Sequence, residues 1–108
     1  MGRTFLFAAA ALLVTTAALH AMGQPMVAAW VEGLDAQKRA AVSLVWLTDS
    51  LDWTVVAALW ALAAWRRERP YLTAAAVATI IPSAMAAGVL TIDPTFFGGW
   101  MLAGSVTL

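Results

Sequence analysis

Ten consecutive apolar residues, Phe5 to Val14, lie inside a longer low-polarity stretch from about Thr4 to Met22. Further segments of the same character follow it. A soluble fold of 108 residues has no means of hiding them all, because small domains leave much of their surface in water. Apolar residues make up 63% of the chain and charged residues 11%, against roughly 45–50% and 25% in soluble domains. Lipid is the solvent that such a chain requires. The expected fold is all-α: an integral membrane four-helix bundle forming one transmembrane domain, 1–108. Its spans are expected at about 4–22, 40–65, 71–90 and 95–108, with a short interfacial helix at about 25–32 between the first two.

A helix needs about 20 apolar residues to cross a ~30 Å hydrocarbon core, and residues 4–22 supply them. Arg3, the apolar run and the small residues Ala18 and Ala21 also fit a secretory signal peptide, whose cleavage would leave three helices. Against that, the leading segment is weakly basic and no clean A-x-A site follows. Gln24 to Gln37 is too polar to span. Pro25 suits a first helical turn, Gly33 a stop, and Trp30 an anchor at headgroup depth.

The second long segment, from about Ala36 to Trp65, would be roughly 45 Å long as one helix, more than the core needs. It carries Thr48, Asp49, Ser50 and Asp52 near its middle. Either its first turns protrude, or it breaks at Thr48-Asp49 and restarts with Asp49 as N-cap. After the polar turn Arg66-Arg67-Glu68-Arg69-Pro70, the third span contains Pro82. That proline should kink the helix and free the Ala78 carbonyl, with Thr79 or a neighbouring helix accommodating the defect. Ala84 and Gly88, like Gly99 and Ala103, sit four apart and favour close backbone approach. Asp93-Pro94 reads as an N-cap and first helical residue. The helix after it, Thr95 to Leu108, is only about 21 Å long, so it either stops partway or belongs to a chain that is truncated there.

Arg3, Arg66, Arg67 and Arg69 fall on one side of this layout, against Lys38 and Arg39 on the other. The positive-inside rule then puts both termini in the cytoplasm, in a bacterial inner (plasma) membrane.

Ionisable groups within spans are costly and usually face the bundle interior. At 1.5 Å per residue, His20 and Asp49 both lie about 24 Å from the cytoplasmic boundary, with Thr16, Asp52 and Ser83 near 18–20 Å. One polar layer towards the periplasmic face is therefore expected. Asp49 and Asp52, three apart, share a helix face and cannot both ionise cheaply, so one should titrate high. Such a layer carries a proton, holds a cation, binds a small ligand, or is a hydrogen-bonded network with Asp49 as a cap. Trp46, Trp53 and Trp60 recur every seven residues on one face. They form a packing seam between helices, or an aromatic wall beside the aspartates. Phe96, Phe97 and Trp100 are expected to be belt residues.

One histidine and no cysteine offer no strong metal set, although copper would find His20, both aspartates, Met22 and Met26. No metal and no cofactor is expected. The zero net charge and the missing basic stripe speak against nucleic acid. P-loop, nucleophile-elbow and H-E-x-x-H motifs are absent, and no lysine lies within a span to form a Schiff base. Partners reduce to the lipid bilayer and to homo- or hetero-oligomers formed through Ala/Gly-rich faces. Length and four-span layout resemble those of the small multidrug resistance transporters. That family carries its essential glutamate in the first span, where this chain has no acidic residue, so no functional residue is carried over.

The expected function is non-enzymatic: a small multi-pass accessory or assembly partner. Its rivals are a proton- or cation-coupled transporter using Asp49 and Asp52, and a ligand-binding or enzymatic pocket of His20, Asp49 and Asp52. Candidate binding residues are Thr16, His20, Trp46, Asp49, Asp52, Trp53 and Ser83.

Overall fold

The computed structural model describes residues 2–108, and these residues contain helices and no strand. In chain order the helices are α1 (Arg3–Met22), α2 (Gln24–Trp30), α3 (Ala36–Arg66), α4 (Arg69–Ala78), α5 (Ile80–Ile92) and α6 (Phe97–Thr107). Three helical stretches are long and apolar enough to cross a membrane: α1, α3, and α4 with α5 taken together.

α3 runs without a break for 31 residues. Asp49 is therefore not an N-cap, and of the two alternatives a break at Thr48-Asp49 is ruled out by the continuous helix. The cap is Asp35, whose carboxylate accepts from the Lys38 backbone N–H at 2.9 Å. Thr48 bonds back to the Leu44 carbonyl at 2.8 Å, so its hydroxyl is satisfied without interrupting the helix. At its other end α3 stops on Arg67, the one non-glycine residue with positive φ (56°) among the described residues. The Arg67 N–H bonds the Ala63 carbonyl at 2.9 Å, as in a left-handed helix cap. A Cβ in that conformation costs about 1–2 kcal/mol.

Pro82 perturbs the third stretch less than a sharp kink would. α4 ends at Ala78 and α5 begins at Ile80, with Thr79 between them still at helical angles (φ −60°, ψ −20°). Pro82 thus falls in the first turn of α5, where a missing N–H costs little. The Thr79 hydroxyl donates to the Ala75 carbonyl at 2.8 Å, and Trp60 of α3 reaches across to both groups at 3.2 Å. The neighbouring helix therefore does help, one turn ahead of the expected Ala78 carbonyl.

The start of α6 differs from expectation. Its N-cap is Phe96, and it spans 11 residues, Phe97–Thr107, not 95–108. Asp93 instead accepts from the Thr95 N–H (2.9 Å) and hydroxyl (2.6 Å), closing an Asx turn that holds Pro94 outside the helix. The Trp100 indole donates to the Pro94 carbonyl at 2.8 Å and braces the turn. At about 16 Å, α6 is too short to cross the hydrocarbon core. α2 ends at Trp30 with Val31 as its C-cap, two residues before Gly33.

α1 packs on α3 and α6, α5 on α6, and α4 on α3. Alanines and small polar residues (Ala9, Ala10, Thr16, Ala17, Ala57, Ala63, Ala64) are buried along these contacts, as close helix packing in lipid requires. Leu13, Val56 and Leu102 fill the centre. Gly99 permits the α5–α6 approach, since a Cβ there would lie 2.8 Å from Leu90 Cδ2. Ala84 and Gly88 face outward, and a Cβ on Gly88 meets nothing. Of the two small-residue pairs, the one containing Gly99 is at a helix contact.

Candidate functional site

The polar layer expected from helix arithmetic resolves into a cleft of about 370 Å³. Thr16, His20, Trp46, Asp49 and Trp53 line it, together with Met26, Met85, Phe96, Phe97 and Met101. α1 and α3 run antiparallel here, which brings residue 20 of one beside residues 46–53 of the other.

His20 is the most constrained side chain in the cleft. Its ring stacks on Trp46 at 3.7 Å between centroids with 14° between planes, and meets Trp53 edge-on at 4.7 Å. Nδ1 is hydrogen-bonded to the buried Ser50 hydroxyl at 2.8 Å. The Trp46 indole N–H donates to the His20 backbone carbonyl at 2.7 Å, so ring and backbone are both tied to α3. Gly23 leaves room for this: a Cβ there would lie 3.2 Å from Trp46 Cζ2. Every buried side-chain nitrogen or oxygen among the described residues has a partner. Among the described residues the His20 ring bonds only through Nδ1, and its Nε2 is not a buried unpartnered atom, so it is accessible where His20 lines the cleft.

Asp49 sits mid-helix, half-buried, one residue before the Ser50 that holds His20. It is the only acidic residue lining the cleft, and no lysine or arginine lines it. Thr16 is buried, with its hydroxyl turned back to the Leu12 carbonyl at 2.9 Å. The Trp46–Trp53–Trp60 repeat has both expected characters. Trp53, Val56 and Trp60 are core residues, while Trp46 and Trp53 also form the cleft wall.

Two of the seven candidate residues lie elsewhere. Asp52 is exposed and outside the cleft. A three-residue step turns a side chain about 60° short of a full turn, enough to carry it past the rim. Ser83 is half-buried, and its hydroxyl donates to the Thr79 carbonyl at 2.7 Å beside Pro82. It mends the helix irregularity and does not face the cleft. Phe96 and Phe97, expected in an interfacial belt, are exposed and also line the cleft. Met85 and Met101 carry no sequence signal beyond being apolar, whereas Met26 stands out in the sequence as a thioether close to His20. Among the described residues, no three His, Asp or Glu side chains come together to hold a metal ion.

No protein-family model, no curated protein and no solved structure matches this chain. The chemistry of the site therefore rests on its own geometry.

Proposed function

We propose that the chain is a small multi-pass protein of a bacterial inner membrane that binds a small apolar ligand bearing positive charge in the His20–Asp49 cleft. The observation that carries this reading is the lining itself. One carboxylate sits among four aromatic side chains and three methionines, with no competing lysine or arginine. Aromatic faces attract cations, methionines adapt to varied apolar shapes, and a few polar groups in an apolar pocket fix orientation. His20, clamped by Ser50 and Trp46, offers one open ring nitrogen as the second polar contact. Asp52 lies outside the lining, which favours a ligand pocket over a carboxylate-pair transporter.

In this proposal α1, α3, α4–α5 and α6 act as a four-helix bundle, with α2 lying in the interface and exposed Trp30 at headgroup depth. The end bearing Arg3, Arg66, Arg67 and Arg69 faces the cytoplasm. The chain has no cysteine, so single cysteines placed at Thr4 and Gln37 are expected to label from opposite sides of the membrane. Labelling from the same side would refute the orientation.

The binding test is titration of the protein in mild detergent with tetraphenylphosphonium, a hydrophobic cation, read by tryptophan fluorescence. Saturable quenching is expected, weakened at least about tenfold (1.4 kcal/mol) by Asp49→Asn and unchanged by Asp52→Asn. Absence of saturation, or indifference to Asp49→Asn, sinks the proposal. Equal loss in both variants would instead favour proton-coupled transport through the aspartate pair.

A specific observation also supports the accessory role. The outward Ala84–Gly88 face of α5 is open to a second helix. Purification in mild detergent as a lone monomer would count against it.

A further inference from the structure

A second cleft, of about 530 Å³, opens at the opposite end of the same helices. Its walls are Leu6 and Ala9 of α1, Trp60 and Ala64 of α3, Leu72, Ala75 and Ala76 of α4, and Ser105 and Val106 of α6. Arg3 and Arg67 border it, and no acidic residue does. The volume falls within the range of about 300–1,000 Å³ typical of ligand pockets. An apolar slot with two guanidinium groups at its rim is complementary to one kind of molecule, an amphiphile with an anionic head and an aliphatic tail.

Two features of the rim support this independently of the volume. Arg67 holds its left-handed cap conformation where glycine is the usual residue, and strained backbone of this kind clusters at ligand clamps. Both rim arginines are exposed and neither makes a salt bridge; the ion pair among the described residues is Lys38–Asp35, on α3's far end. Arg3 rests over the Phe7 ring, 5.6 Å from its centroid, which keeps its head at the rim through a cation–π contact. Guanidinium groups match phosphate oxygens in a two-pronged geometry.

We infer that this cleft binds one anionic phospholipid of the surrounding membrane, its headgroup phosphate between Arg3 and Arg67 and one acyl chain against Leu6, Leu72 and Ala76. The tail comes from the bilayer, so the site is filled laterally from lipid. The site is separate from the His20–Asp49 cleft, and its occupancy does not depend on what that cleft binds.

The test is native mass spectrometry of the full chain, released from mild detergent supplemented with phosphatidylglycerol or with phosphatidylcholine. One retained phosphatidylglycerol per chain is expected, with phosphatidylcholine held at least about tenfold more weakly. The double variant Arg3→Gln/Arg67→Gln should abolish that preference, whereas Arg66→Gln/Arg69→Gln should keep it. Ala76→Phe, an exposed position on the cleft wall, should reduce lipid retention with both arginines intact. Arg67→Gly separates binding from folding: it relieves the left-handed backbone and should raise the unfolding temperature while lowering lipid retention. Equal retention of the two lipids overturns the inference, as does an equal effect of Arg66 and Arg69. Displacement of the lipid by millimolar inorganic phosphate, with Ala76→Phe silent, overturns it too, because the rim alone would then be the site.

Discussion

The two clefts are carried by the same helices, α1, α3 and α6, and sit at opposite ends of them. At the Arg3–Arg67 end the walls are mostly alanine and aliphatic side chains, and the charge is positive and confined to exposed side chains at the rim. At the Asp49 end the walls are aromatic rings and methionines, the charge is negative, and the principal polar side chain is clamped from two sides. A stacked, hydrogen-bonded histidine is already organised, so a ligand there loses less in ordering the site. One scaffold thus presents an open-rimmed cleft and a more ordered one, kept apart by Leu13 and Val56, which fall between the two sets of lining residues along α1 and α3 and are at most 1% exposed.

The largest effect is expected from removing that partition. Leu13→Ala should cost about 2–5 kcal/mol, the range for leucine truncation in a packed core, read as a lower unfolding temperature in detergent. A near-neutral result would mean that no packed divider separates the clefts. Next comes a crossed experiment on ligand selectivity. Asp49→Asn and Arg3→Gln/Arg67→Gln should each weaken their own ligand about tenfold, or 1.4 kcal/mol, and leave the other ligand unaffected. If either variant weakens both ligands, the clefts are one site and the comparison fails.

Trp60→Phe probes the wall nearer the arginine end. It keeps an aromatic side chain but removes the indole N–H that donates to Ala75 and Thr79 and some buried ring volume, for an expected loss of at least about 1 kcal/mol. Faster amide exchange around Thr79 to Ser83, with His20 and Trp46 unaffected, is the signature to look for. Change at both ends would show the partition to be soft.

The smallest effect concerns the overhanging start of α3. The Lys38 backbone N–H, and then its ammonium group, hold the Asp35 carboxyl below the usual carboxylate range. A lowered folded-state value means the cap stabilises the helix above about pH 4 and is lost as pH falls through that lowered value. Protection of the Gln37 to Arg39 amides, corrected for the intrinsic pH dependence of exchange, should therefore fall at acid pH, and Asp35→Asn, a neutral cap of similar quality, should abolish the fall. Asp93 is held low as well, by the Thr95 hydroxyl and then its N–H, so the Asx turn before α6 should loosen in the same window. Protection factors unchanged through that window would mean that neither carboxylate holds its cap.

Legibility in the sequence followed the physics. Long apolar runs announced α1, α3 and α4–α5, because a backbone in lipid must satisfy its own hydrogen bonds and a helix does so within one segment. Depth along each helix was legible too, since a rise of 1.5 Å per residue needs only a count. That count placed His20, Thr16 and Asp49 at one level, and the structure finds them in one cleft. It failed for Asp52 and Ser83 because depth does not supply azimuth, and both point elsewhere. Asp49 looked like a helix cap because Thr-Asp-Ser is good capping chemistry. The helix instead runs through it, held by packing against α1 and by Thr48 bonding back along its own turn. The arginines of the 66–69 turn were read only as a topological signal, with nothing to pair Arg67 with a residue 64 positions earlier.

By itself, then, the amino-acid order determined that this protein carries helices long and apolar enough to cross a membrane. It also determined the helical class, the position of each polar group along its helix, and the basic character of one end. Those properties are local, set by hydropathy and by backbone hydrogen bonding. Only the tertiary structure decided which side chains share a cavity: His20 against Trp46 and Ser50, Phe96 and Phe97 with Asp49, Arg3 across from Arg67. Between helices in lipid the hydrophobic effect favours no face, so docking is settled by the sum of close van der Waals contacts and a few cross-helix hydrogen bonds. Glycines such as Gly23 and Gly99 permit those contacts, and the contacts exist only once the helices are assembled.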